Sequence, residues 1–132
     1  MNVLFIEDDM IETMKMQRAV AKMESNHVIV EAKNGEEALG ILNEGSLPDI
    51  ILLDLNMPRM SGIEFLNILK ADARLKYLPT IILTTSENRV DLLKCFEIGI
   101  AGYIIKPLKY EDYELKLKRV FDYWEISELV KA

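Results

Sequence analysis

The chain has little cysteine and little histidine: Cys95 and His27 are the sole residues of their kinds among 132. One cysteine excludes an internal disulfide and suits the cytosol. Cys95 reads as a buried helix residue. So few soft ligands cannot build a zinc set, and none has zinc spacing. His27 opens the apolar run His27-Val28-Ile29-Val30 and reads as a strand residue, not a metal ligand or catalytic base. No Gly-rich phosphate loop appears among the 6 glycines. No apolar run reaches about 18 residues, so no membrane span is expected. The first residues lack the basic leader of a signal peptide. Positive charge is also short, with 16 Lys and Arg against 22 Asp and Glu, a net charge of −6. That balance argues against nonspecific nucleic-acid binding. Internal repeats, linkers and low-complexity tracts are missing too, so residues 1–132 are read as one domain.

What is present is five short apolar runs, at residues 3–6, 27–30, 49–55, 80–83 and 103–105. Helical stretches of about 12 to 20 residues separate them, as in βαβ units. Continuous apolar runs suit strands of a parallel sheet covered on both faces. Asp9 is placed to cap a first helix carrying Ile11, Met14, Val20 and Met23, and most of its methionines (Met10, Met14, Met16, Met23) read as core filler. Asn34 caps a second, with Ala38, Leu39 and Leu42 inward and Gly45 at its end. Ser61-Gly62-Ile63-Glu64 is a capping-box pattern for a third, with Ile63, Leu66 and Leu69 inward. Ser86 caps a fourth, with Val90, Leu93 and Ile98, and Gly99 stops it. A fifth runs from Tyr110 to near the end.

Strict alternation of five strands and five helices fits an α/β, flavodoxin-like (βα)5 doubly wound parallel sheet, order 2-1-3-4-5. The first and third strands are then neighbours at the switch point, where such sheets bind ligands. They end in Glu7-Asp8 and in Asp54. Two carboxylates at about 4 Å repel by roughly 4 kcal/mol at an effective dielectric near 20. Such a cluster takes up a proton or a cation, and hard oxygen ligands suit Mg²⁺. The fourth strand delivers Thr84 to the same edge and the fifth delivers Lys106. Acids, a hydroxyl and a lysine around one crevice make a phosphoryl-transfer site, in which an aspartate can be the nucleophile.

With these residues in place, the chain resembles the response-regulator receiver domains, the CheY-like family, in the stand-alone, single-domain form. The match rests on Glu7-Asp8, Asp54 with Met57-Pro58, Thr84, and Tyr103 with Lys106-Pro107. The spacings, 30 residues from Asp54 to Thr84 and 22 from Thr84 to Lys106, fit as well. The resemblance implies that Asp54 accepts a phosphoryl group from a sensor histidine kinase or a histidine phosphotransfer protein. It implies Mg²⁺ held by Asp8, Asp54 and the Asn56 backbone carbonyl, with Glu7 acting through water. Lys106 and Thr84 would each meet a phosphoryl oxygen, Thr84 and Tyr103 would form the switch, and Lys106–Pro107 would be cis. The implied product is a cytoplasmic signalling protein that assists its own phosphorylation and dephosphorylation and acts on an output protein by contact, without nucleic acid or membrane.

Departures are specific. Thr85 stands where the family usually has Ala or Gly, and its bulk is expected to restrict access of small phosphodonors or water. Ser61 replaces an Asp with little expected effect. Asn56 and Ser86 occupy the positions that tune phosphoryl lifetime. Two other functions compete: a receiver-like module that works without phosphate, and an aspartyl phosphatase. The phosphatase would want a second Asp at position 56, which is Asn. The start at Met1 and a charged final helix favour a complete protein. That helix carries a core-facing stripe of Tyr113, Leu117, Val120, Phe121 and Trp124. A second, offset stripe of Tyr123, Ile126 and Val130 predicts a homodimer through the C-terminal helix.

Overall fold

A computed structural model of the chain describes residues 1–130. Five strands form one sheet: β1 (Asn2–Ile6), β2 (Val28–Ala32), β3 (Ile50–Leu53), β4 (Thr80–Thr84) and β5 (Gly102–Ile105). Five helices alternate with them: α1 (Met10–Lys22), α2 (Gly35–Glu44), α3 (Gly62–Ala71), α4 (Arg89–Ile98) and α5 (Tyr110–Ile126). All strand pairs are parallel and the order is β2-β1-β3-β4-β5, as the alternation predicts.

The central strands are buried throughout because each serves two cores. Leu4, Ile6, Ile51, Leu53 and Ile82 face one core, completed by Ala38 and Leu42 of α2, Phe65, Leu66 and Leu69 of α3, and Cys95 of α4. Val3, Phe5, Ile50, Leu52, Ile81 and Leu83 face the other, completed by Met16 and Ala19 of α1 and Tyr113, Leu117 and Phe121 of α5. The alternation of a strand's side chains assigns each residue to one core or the other. His27 precedes β2, with its ring edge-on to Phe121 and its Nε2 2.7 Å from Glu125 Oε1. It fastens the sheet edge to the end of α5.

Caps fall where the side chains can reach the first free amides. Asp9 accepts from the Ile11 N–H, Asn34 from that of Glu37, and Ser61 from that of Glu64. Gly99 takes the left-handed conformation that ends α4.

Five expectations need correction. The cap of α4 is Asn88, whose side chain accepts from the Val90 N–H; Ser86 lies earlier, in the β4–α4 loop. The inward line of α4 is therefore Cys95 and Ile98, while Val90 and Leu93 are exposed. Of the methionines in α1 only Met16 is fully buried; Met10 and Met14 are exposed, together with Ile11, because the helix turns just one side to the sheet. Helix α5 stops at Ile126, which is 84% exposed, and Ser127 leaves in an extended conformation. Residues 131 and 132 of the expected longer helix lie outside the described residues. No peptide bond among the described residues is cis, so Lys106–Pro107 is trans, the isomer that X–Pro geometry favours by about 0.5–1 kcal/mol.

Candidate functional site

Every strand that carries a candidate side chain ends at the same edge, and backbone bonds carry the ladder one residue further. The Asp54 N–H donates to Ile6 O (3.1 Å), the Glu7 N–H to Ala32 O (2.9 Å) and the Lys106 N–H to Thr84 O (2.8 Å). Three carboxylates meet there: ligand oxygens of Glu7, Asp8 and Asp54 lie within 4.8 Å of one another. Glu7 and Asp54 are buried and Asp8 is exposed. The loop after Asp54 is seated by Gly62. A Cβ there would stand 2.7 Å from Leu55 Cα and 2.8 Å from Asp54 O, so only glycine lets α3 approach this closely.

Lys106 reaches across from β5. Its Nζ lies 2.7 Å from Glu7 Oε1 and 3.5 Å from Glu12 Oε2. Burial by itself lowers the Lys106 pKa. The hydrogen bond from Lys106 to Glu7 and the charges of Glu7, Asp54 and Glu12 outweigh it, so the ammonium stays charged. Burial pushes the Glu7 carboxyl up to about 7 against the pull of Lys106, and the charge of Asp54 adds to the rise. Burial also raises Asp54, held back by Lys106, the Asn56 backbone N–H, Glu7 and the Thr84 hydroxyl. Burial thus makes it costly for both acids to be charged at once, a cost that a cation would relieve. Carboxylate oxygens at this spacing, one of them facing water, fit a hard divalent ion that keeps part of its hydration shell.

Thr84 is fully buried, and its Oγ1 accepts from the Ser86 N–H at 3.3 Å. Tyr103 is half-buried, and its hydroxyl donates to Ser86 O at 3.0 Å. Ser86 thus joins the two residues, a role that its reading as a helix cap concealed. Thr85 is exposed at the mouth. Asp9 serves the helix cap, as expected, and also donates its N–H to Glu7 Oε2 at 3.4 Å.

Glu12 is the site residue that sequence reasoning missed. The pattern Asp9-x-x-Glu12 looks like a capping box, which gives Glu12 a sufficient local explanation. Its carboxylate instead turns toward Lys106.

Comparison with known proteins bears on the family and the fold. A profile of the response regulator receiver domain matches residues 3–118. The chain is 34% identical over 127 residues to the probable methanogenesis regulatory protein FilR2 of Methanothrix harundinacea, covering 92% of this chain and 82% of that one. The phosphorylated cyanobacterial phytochrome response regulator RcpA superposes with a TM-score of 0.91 at 30% identity, covering 97% of this chain and 96% of the other. The Mn²⁺-bound form of response regulator Rcp1 does so with a TM-score of 0.89 at 26% identity, covering 98% of each chain. A parallel sheet whose switch point gathers three acids and a lysine, matched over nearly its whole length by these proteins, leaves one assignment: the chain belongs to the response-regulator receiver domain family.

Proposed function

We propose that this chain is a phosphorylation-controlled switch in which Asp54 is the sole phosphoacceptor. The observation that carries the reading is the placement of Asp54: buried, clustered with the carboxylates of Glu7 and Asp8, and within reach of the Lys106 charge and the Thr84 hydroxyl. A carboxylate oxygen of Asp54 attacks the phosphorus of a phosphohistidine. The P–O bond forms as the P–N bond breaks, and the imidazole leaves with the bonding electrons. Lys106 offsets the negative charge on one phosphoryl oxygen, and the Thr84 hydroxyl donates to another. Asp8, Asp54 and the Asn56 carbonyl would hold Mg²⁺, with Glu7 through water; the ion supplies further neutralisation of phosphoryl charge. The donor is a sensor histidine kinase or a histidine phosphotransfer protein. The same groups serve hydrolysis, when water attacks the phosphorus and Asp54 is released. Incubating the chain with autophosphorylated histidine kinases and Mg²⁺ tests the proposal. Failure to receive a phosphoryl group from any kinase of the host, or from a phosphoramidate, overturns it.

The signal leaves the site through Ser86. If Thr84 turns its hydroxyl to a phosphoryl oxygen, it gives up the Ser86 N–H, and the loop that accepts from Tyr103 shifts with it. Activation is then a population shift between two packings of that loop. Thr84→Ala is expected to accept phosphate but to leave the Tyr103 ring resonances close to their unphosphorylated positions. A Tyr103 shift of full size in phosphorylated Thr84→Ala would count against the coupling.

The output surface includes α5. Tyr123 and Ile126 are exposed on its last turns, and Tyr123 borders a groove of about 600 Å³ that Ile104, Val120 and Trp124 also line; Val130, expected on the same stripe, lies beyond the end of the helix. We assign this face to a homodimer, since an exposed apolar stripe next to an apolar groove is suited to a second copy of itself. Sedimentation at micromolar concentration is expected to show a dimer that Tyr123→Glu or Ile126→Glu dissociates. A monomer with and without a phosphoryl analogue rejects the assignment.

A further inference from the structure

Glu12 approaches Lys106 from the first turn of α1, and its carboxylate is braced from behind. Lys15 Nζ lies 3.4 Å from Glu12 Oε1 and 4.9 Å from the centre of the Tyr113 ring, which belongs to the core. The other oxygen, Oε2, is buried without a hydrogen-bond partner and lies 3.5 Å from Lys106 Nζ. A buried carboxylate oxygen without a hydrogen bond is costly, so its position calls for an account.

The demands on Glu7 supply one. In the resting state Glu7 Oε1 is the close partner of Lys106, at 2.7 Å. Under the function proposed above, on which this inference rests, Glu7 is drawn toward the cation's hydration shell and Lys106 toward the phosphoryl group. An ammonium with three donors in a buried site needs more than one acceptor. We propose that Glu12 is a positioning residue for phosphoryl transfer: it takes over Lys106 from Glu7 and holds the ammonium within reach of the phosphoryl oxygen. Glu12 touches neither donor nor phosphorus and acts through Lys106 alone. Lys15, itself set over the Tyr113 ring, pairs with the other oxygen of the Glu12 carboxylate.

Glu12→Gln keeps the shape and removes the charge. The rate constant for phosphorylation of Asp54 at saturating phosphoramidate is expected to fall about tenfold, as for one charge-assisted hydrogen bond lost, with the half-saturating donor concentration unchanged. In a Lys106→Ala background the same substitution is expected to cause no further loss, because its route of action is gone. A second readout is independent of turnover. With isotope-labelled lysine, the Lys106 ammonium resonance is expected to remain visible with Mg²⁺ and beryllofluoride, a phosphoryl analogue. In Glu12→Gln it is expected to broaden away under the same conditions. Unaltered rates in Glu12→Gln, or an equally sharp Lys106 signal in both proteins, overturns the proposal. An unsubstituted chain that takes up no phosphoryl group overturns the proposed function instead, so the two failures are distinct.

Discussion

Asp54→Asn is expected to take up no phosphoryl group, where the unsubstituted chain takes up one, measured by intact mass after incubation with phosphoramidate and Mg²⁺. The loss is complete because the amide is not a nucleophile at this pH and no other carboxylate has the same surroundings. Asp8 is exposed to water, and Glu7 is engaged by Lys106. Phosphoryl addition that persists in Asp54→Asn would falsify the assignment. The substitution also has a pH signature. The pKa values of Glu7 and Asp54 are raised in the folded state, mainly by burial. A raised folded-state pKa contributes stability that is full below the unfolded value and lost as pH rises through the folded one. The metal-free protein is thus expected to lose stability as pH climbs from 4.5, the ordinary value for Glu7, through about 7. Asp54→Asn removes one of the two groups and is expected to flatten that decline, read as midpoint temperature against pH.

Asp8→Ala carries the second large effect. It is expected to weaken Mg²⁺ binding at least about 100-fold, since loss of even an outer-sphere partner costs 10- to 100-fold, and to abolish Mg²⁺-dependent phosphorylation. Calorimetric titration measures the first and intact mass the second. In the absence of metal the same variant is expected to be the more stable protein, because one of three crowded negative charges is gone. Asp8 is exposed, so the gain is set at about 1 kcal/mol or less. For the unsubstituted chain, Mg²⁺ affinity is expected to rise with pH up to about 7, where Glu7 gives up its proton. Unchanged phosphorylation in Asp8→Ala would sink the metal assignment, and a pH-independent affinity would contradict the upward shift of the Glu7 carboxyl.

The sheet order and the meeting of Glu7, Asp8, Asp54, Thr84 and Lys106 were legible because they follow from period, topology and strand ends. Caps at Asp9, Asn34 and Ser61 were legible because capping is local chemistry. What escaped depends on contacts between distant elements. Helical spacing alone does not distinguish which of Met10, Met14 and Met16 meets the sheet, since all three are apolar and only Met16 lies under the strands. Phase in α4 was misread because Ser86 and Asn88 are both competent caps, and a shift of two residues rotates the helix by more than half a turn. Glu12 escaped because an acid in the first turn of a helix is ordinary, and only the fold brings Lys106 to it. The expected cis bond at Lys106–Pro107 came from family resemblance and not from these residues, and the structure has it trans.

The assignment of alternate strand residues to two cores bears on which changes in length the chain can absorb. Replacing Ile51 or Leu52 by another aliphatic residue perturbs one core at one point. Inserting a single residue in β3 would exchange the two cores along the rest of that strand and swing Asp54 to the opposite face of the sheet. Side chains in β1 and β3 can therefore drift within the aliphatic class while the number of residues before each acid cannot. Insertions should be tolerated instead at exposed positions of the far edge such as Gly45 and Ser46, ahead of the buried Leu47 and of Asp49, which pairs with Asn2 and helps to set the register of β1 and β3.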